Sequence, residues 1–288
     1  MSGNRPSWRT SISDVSPNQI KPENAPSGGD VRGAIHPAAR VGFGAAADAY
    51  ERGRPEYPTG AVGWLVETLA IGPGARVLDL AAGTGKLTRM LVGGGGRLVA
   101  VEPVDGMRRV FRSVLPDVPV VGGRAEAIPL ADRSIDAAVV AQAFHWFDAP
   151  AAIRELHRVL RPGGRLGLVW NVRDEGSSAF WAGLTELLAP HRGDVPAHRG
   201  SVWRRAFESS DLFAPLETRS FPFEQALTRQ QVLDRVLSTS FVATLAPSDR
   251  DAVADGVLAL LEEDPNTAGR DVVRLPYRTD VHTTVRAG

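Results

Sequence analysis

Val77-Leu78-Asp79-Leu80-Ala81-Ala82-Gly83-Thr84-Gly85 is an apolar run interrupted by one acid and followed by a glycine loop, after which Leu87, Met90 and Leu91 take up helical spacing. Strand, glycine loop and helix in that order bring bare backbone N–H groups to the positively polarised start of a helix, where a ligand can approach closely. Three ligand classes use that arrangement. A P-loop requires glycine at position 80 and serine or threonine at 87, which are Leu80 and Leu87 here, so that class is excluded. A dinucleotide fingerprint requires a third small residue where Thr88 stands, although Glu102, nineteen residues beyond Gly83, is spaced to hold ribose hydroxyls. A nicotinamide-dependent oxidoreductase therefore stays open at this point. Asp79 weighs against it, because a carboxylate at the tip of the first strand repels a pyrophosphate and suits a ligand carrying an ammonium group.

Working outward, Val62, Leu65, Val66 and Leu69 repeat at helical spacing upstream, and Gly72-Pro73-Gly74 ends that helix. Downstream, residues 98–101 read as a second strand ending at Glu102, and Met107, Val110, Phe111 and Val114 mark a helix. A short strand over 118–121, a strand over 135–141 and a helix with the face Ile153, Leu156, His157 and Leu160 follow. Pro162-Gly163-Gly164 breaks that helix before a fifth strand over 165–170. Strands alternating with helices imply a parallel sheet covered on both faces, wound with right-handed crossovers. Beyond Asn171 the pattern predicts a helix over 179–188, a strand over 216–223, helices over 232–245 and 254–261, and a last strand over 272–285. The helix over 254–261 is read as opened by a capping box from Ser248 to Asp251. The expectation is an α/β fold: a doubly wound, seven-stranded Rossmann-like sheet with helical cap insertions at about 174–211 and 224–268. The ligand is expected at the carboxyl ends of strands one and two.

A chain of 288 residues, 43% hydrophobic and 23% charged, can bury a substantial core and reads as a soluble globular protein. Thirty-three basic residues balance thirty-three acidic ones, so no global positive field exists to hold a phosphate backbone, which argues against nucleic acid as partner. The absence of cysteine excludes disulfides, thiolate metal sites and a cysteine nucleophile, and fits a cytoplasmic protein. No apolar run has the length of a signal peptide or approaches the roughly 20 residues of a membrane span, so no membrane partner is expected. Residues 1–40 carry five prolines among many Ser, Gly and Asn and read as a flexible tail ahead of one domain over 41–288. Trp8 and Ile12 in that tail offer a docking point on a neighbouring subunit of a homo-oligomer.

Asp79-x-x-x-Gly83-x-Gly85 followed by Glu102 resembles the signature of class I S-adenosylmethionine-dependent methyltransferases. Gly123-Arg124-Ala125-Glu126-Ala127-Ile128-Pro129-Leu130 resembles that family's loop beside adenine. Ser134-Ile135-Asp136-Ala137-Ala138-Val139 resembles its fourth strand, and Arg158-Val159-Leu160-Arg161-Pro162-Gly163-Gly164 the turn before its fifth. Phe43 through Tyr50, Arg54-Pro55-x-Tyr57-Pro58 and Gln142-Ala143-Phe144-His145-Trp146-Phe147 resemble the small-molecule, trans-aconitate methyltransferase-like branch. Two departures stand out: Ala81 where many relatives have glycine, and Arg124 where many have an acid.

The resemblance implies S-adenosylmethionine as cofactor and a small-molecule acceptor methylated at oxygen or carbon. It further implies that Asp79, Ala81, Gly83 and Gly85 surround the methionine part, that Glu102 takes the ribose, and that Met107, Ala125 and Glu126 flank adenine. Met107 reads equally well as core, on one face with Val110 and Phe111. Tyr50, Arg54 and Gln142 join the cofactor set, Arg54 as a partner for a carboxylate. His145, beyond the fourth strand, is the candidate base for an acceptor that must lose a proton, with aromatic packing as its competing role. Trp146, Arg173 and Tyr277 are candidate acceptor contacts, the last two as clamps on an acid.

Overall fold

The computed structural model describes residues 55–193, 202–239 and 241–288; the expected tail, Tyr50 and Arg54 lie outside these residues. Seven strands form one sheet: β1 (Arg76–Leu80), β2 (Arg97–Val101), β3 (Val120–Val121), β4 (Ile135–Ala141), β5 (Leu160–Arg173), β6 (Glu217–Thr228) and β7 (Val272–Val285). Their order is β3-β2-β1-β4-β5-β7-β6, parallel from β3 to β5, with β7 antiparallel to both its neighbours. The helices are α1 (Thr59–Thr68), α2 (Lys86–Leu91), α3 (Asp105–Val114), α4 (Ala149–Val159), α5 (Ala179–Leu188), α6 (Val202–Glu208), α7 (Arg229–Leu237) and α8 (Pro247–Glu263). The doubly wound, seven-stranded expectation holds.

Residues of β1 show how the sequence makes a two-faced strand. Val77 points to one side and packs with Ala61, Val62 and Leu65 of α1. Leu78 and Leu80 point to the other and pack with Ile153 and Leu156 of α4. A strand buried on both faces needs this continuous apolar run, and Asp79 is its single polar exception. Strands β1 and β4 and the last strand occupy the expected ranges, whereas β5 is longer than expected. Its pairing with β4 starts at Leu160, shifts register, and resumes at Arg165, so Pro162-Gly163-Gly164 forms an irregularity within a strand edge rather than its start.

The insertions divide between two cores. From the first, α6 places Trp203 and Phe207 on the sheet beside α4. From the same insertion, α5 joins α7 and α8 of the second around Trp181, Val236, Val257 and Tyr277. Strand β6 runs on to Thr228, so the second insertion starts later than expected. The capping expectation needs correction: α8 begins at Pro247 after Ala246, with no side-chain cap, and Ser248 sits inside the first turn. Proline pre-set at the first helical position starts this helix. The capping box belongs to α7, where the Gln231 N–H donates to Thr228 Oγ1 at 3.2 Å and the Thr228 N–H to Gln231 Oε1 at 2.8 Å.

Packing demands a glycine at position 85. Its φ is +87°, and a Cβ there would meet Leu115 Cδ1 at 2.7 Å and Phe111 Cδ2 at 2.9 Å. Gly83, at φ +59°, faces open space. Gly85→Ala is expected to destabilise the fold by about 2 kcal/mol or more, and Gly83→Ala by about 1 kcal/mol from backbone strain alone. Equal losses in urea unfolding would contradict this division of roles.

Candidate functional site

From β1 the chain moves outward to β2 and β3, then returns to β4 on the other side of β1. Loops leaving the carboxyl ends of β1 and β4 therefore part, and open α/β sheets hold ligands in such a crevice. A cleft open to solvent lies there. The end of β1 contributes Ala81 and Ala82, the start of α2 contributes Lys86 and Leu87, and the end of β4 contributes Ala141 and Gln142. Asn171 comes from β5, Pro55 and Tyr57 from the segment before α1, and Arg235 from α7. Besides the expected end of β1, the ends of β4 and β5 line the opening, because β4 is the second neighbour of β1.

Both lips carry backbone in the left-handed region. Ala81 and Gln142 have φ of +58° each, a conformation that disfavours side chains other than glycine. Neighbouring strands hold them there: the Ala81 N–H donates to Val101 O at 2.7 Å and the Gln142 N–H to Val169 O at 2.8 Å. Strain on both sides of one cleft, at residues singled out by sequence as cofactor contacts, is what a preorganised site looks like.

Beneath the glycine loop lie two buried acids. Asp79 is 1% exposed; Thr88 Oγ1 donates to its Oδ2 at 2.6 Å, and its Oδ1 is buried with no hydrogen-bond partner among the described residues. Burial pushes its pKa up to about 7, against the Thr88 hydrogen bond, which lowers it, and with the charge of Glu102, which raises it. Thr88, where a dinucleotide fold wants a small residue, is therefore the hydroxyl that orients Asp79. Glu102 is 5% exposed and accepts from the Gly83 N–H at 2.9 Å through Oε2 and from the Val104 N–H at 2.8 Å through Oε1. Burial raises its pKa, and these two backbone bonds oppose the rise. Each carboxylate oxygen has a second lone pair, so a hydroxyl from a ligand can still be accepted.

The expected adenine contacts lie outside the lining of the cleft. Met107 is 3% exposed on α3, and Ala125 is 4% exposed within the core under β4. Glu126 Oε1 accepts from the Asp148 N–H at 3.1 Å, tying the loop to the N-cap residue of α4. Arg158 fixes the same loop, donating to Leu130 O and Ile128 O at 2.8 Å each, while Glu155 accepts from the Ile128 N–H at 2.8 Å. His145 lies on the turn after β4, its Nδ1 accepting from Trp170 Nε1–H at 3.2 Å, with the half-buried Trp146 ring at 5.2 Å.

Tyr277 needs correction as an acceptor clamp. It is 1% exposed, with its ring stacked on Phe223 at 5.4 Å and edge-on to Trp181 at 5.1 Å. Arg173 lies over the Trp181 ring at 5.0 Å, and Arg235 lies over Tyr277 at 4.9 Å. The stack holds Arg235, itself 4% exposed, at the cleft. Sequence reasoning missed Arg235, though a signal was present: it falls on the apolar face of its helix, three residues after Val232 and one before Val236, both fully buried. A guanidinium in that place can pair bidentately with a carboxylate or phosphate.

The methyltransferase domain family matches residues 78–168. An uncharacterized methyltransferase of Mycobacterium tuberculosis is 43% identical over 239 residues, which is 83% of this chain and 93% of that protein. An uncharacterized methyltransferase-like protein of Schizosaccharomyces pombe is 34% identical over 231 residues, 80% of this chain and 90% of that protein. In fold, the chain is similar to phosphoethanolamine N-methyltransferase 2 of Haemonchus contortus solved with S-adenosyl-L-methionine. The TM-score is 0.53 at 15% identity, covering 87% of this chain and 59% of that one.

The Asp79 carboxyl keeps its proton up to about pH 7 in the folded chain, whereas the ordinary aspartate in an unfolded chain loses it at about 3.9. Between those values the folded state binds more protons, so stability falls as pH rises, by at most about 1.4 kcal/mol per unit. Asp79→Asn is expected to flatten that slope in urea titrations of the ligand-free protein between about pH 4 and 7. An unchanged slope would mean Asp79 ionises as freely in the fold as outside it.

Proposed function

We propose that this chain, which belongs to the methyltransferase domain family and is a methyltransferase, uses S-adenosylmethionine to methylate a small-molecule acceptor at oxygen or carbon. Asp79 carries the reading. A carboxylate oxygen buried without a partner is unfavourable unless a ligand completes it, and a cationic amino group beside the carboxyl end of β1 does so. The residues present fit the cofactor in three further respects: Glu102 can accept from the ribose hydroxyls, Gly83 faces open space, and Ala81 and Gln142 line the same opening.

When bound, S-adenosylmethionine supplies a methyl carbon already activated by its sulfonium. The protein then has to orient the two partners and exclude water, which together account for large rate gains in reactions of this kind. Asp79 and Glu102 anchor the two ends of the cofactor's non-adenine part. Gln142 and Asn171 line the β4 and β5 side of the cleft. Asn171 is itself held, its Oδ1 accepting from Thr279 Oγ1 at 2.7 Å and its Nδ2 donating to Glu56 O at 3.2 Å. Arg235 closes the opening from the second insertion, at the position from which an acceptor would be selected. A chain with no net charge has no global positive field for a nucleic acid, which favours a small molecule as acceptor.

Isothermal titration with S-adenosylmethionine, S-adenosylhomocysteine and NADH tests the reading. Micromolar binding of the first two and none of NADH is expected; binding of NADH alone would overturn it. Glu102→Ala is expected to weaken S-adenosylhomocysteine by roughly 1.5–3 kcal/mol, since it removes a charged acceptor and releases the Gly83 and Val104 N–H groups. Unchanged affinity would remove Glu102 from the site.

A further inference from the structure

We propose that Asn171 is a positioning residue: its side chain fastens the segment Pro55–Tyr57, one wall of the cleft, to the sheet, and through that wall sets how long a bound cofactor stays. Pro55, Tyr57 and Asn171 all line the cleft. Asn171 Nδ2 donates to Pro55 O at 3.3 Å and to Glu56 O at 3.2 Å, while its Oδ1 accepts from Thr279 Oγ1 at 2.7 Å. A peptide carbonyl can only accept, so the NH₂ end of the amide must face the two carbonyls and its oxygen the hydroxyl. Both Nδ2 hydrogens are thereby committed to the wall.

The wall cannot fasten itself as a strand does. Pro55 and Pro58 have no N–H, so the run Pro55-Glu56-Tyr57-Pro58 lacks half the donors of an ordinary strand, and it belongs to no strand or helix. Tyr57, 6% exposed, anchors one end of it in the cluster that holds Ala61, Leu65 and Leu87. Asn171 meets the segment because β5 alternates. Val169 lies in the cluster of Tyr57, and Trp170 and Val172 lie in the one across the sheet, so Asn171 falls on the face where Tyr57 packs. The hydroxyl that orients the amide is rigid, since Thr279 is fully buried and pairs with Asn171 between β5 and β7.

Ala81 and Leu87 on the β1 side and Gln142 on the β4 side line the same cleft, which is open to solvent. A ligand there is held against water only as well as the walls are held in place. The fastening follows from the hydrogen bonds alone, whereas what the wall retains rests on the cofactor proposed at this cleft.

Two substitutions separate fastening from packing. Asn171→Ala removes the donors, whereas Asn171→Asp keeps the shape but sets a carboxylate against two carbonyl oxygens. The aspartate variant, though closer in size, is therefore expected to be the more harmful. Backbone ¹⁵N relaxation of the ligand-free full chain is expected to show order lost at Glu56 and Tyr57 in both variants and kept in β7. Stopped-flow binding of S-adenosylhomocysteine is expected to show release about tenfold faster in Asn171→Ala and faster still in Asn171→Asp, with association changed far less. Unchanged order at Glu56 and Tyr57 in folded variants overturns the fastening, and so does an aspartate variant milder than the alanine one. Unchanged release overturns the retention role. Whether or not the variants fold, the side-chain NH₂ of Asn171 in the unsubstituted protein is expected to exchange slowly with solvent. Exchange as fast as that of a solvated asparagine overturns the proposal. If the unsubstituted protein fails to bind S-adenosylhomocysteine, the cofactor reading falls and the retention role with it, while the order at Glu56 and Tyr57 still decides the fastening.

Discussion

Asp79 ends up where water does not reach because it belongs to a strand buried on both faces. Its neighbours Leu78 and Leu80 fill the core on the α4 side, and Val77 fills it on the α1 side. A carboxylate there is destabilised by desolvation, and the fold compensates only half of it, through the Thr88 hydroxyl. The other oxygen, the raised pKa and the left-handed residues on both lips of the cleft share one cause. The sheet order opens a crevice at β1 and β4, and the chain places groups there whose requirements the folded protein alone does not meet. Stability is given up at the point where a cationic ligand would restore it.

The second insertion connects to that crevice through a stack of rings and guanidiniums. Arg173 at the end of β5 lies over Trp181 of α5, Trp181 meets Tyr277 of β7 edge-on, and Arg235 of α7 lies over Tyr277. Two of these were read from sequence as acceptor contacts. The structure buries Tyr277 in the core and places Arg235 in the lining of the cleft.

What could be read in advance follows the range of the interactions. Strands β1 and β4 were legible because burial on both faces leaves a local mark, a continuous apolar run. Asp79, Gly83 and Glu102 were legible because loop and strand-end chemistry has fixed spacing. Gly85 was legible as a loop glycine, whereas its close packing against Phe111 and Leu115 of another segment was not. Ser248 to Asp251 has the letters of a capping box, but Pro247 already starts the helix. The bond between Trp170 and His145 spans 25 residues, and the contact of Arg235 with Tyr277 joins a helix to a strand beyond the next helix. Neither pairing leaves a periodic trace, although an arginine on the apolar face of α7 was a visible anomaly.

The most direct test of the central claim counts protons during binding. S-adenosylhomocysteine is titrated calorimetrically at pH 7 in buffers of different ionisation enthalpy, with Asp79→Asn alongside. If Asp79 receives the cationic amino group, its partly protonated carboxyl must ionise as the ligand arrives. The account then requires release of a fraction of a proton by the unsubstituted protein, with that release abolished and affinity reduced in Asp79→Asn. Tight binding without proton release, identical in the two proteins, would contradict it.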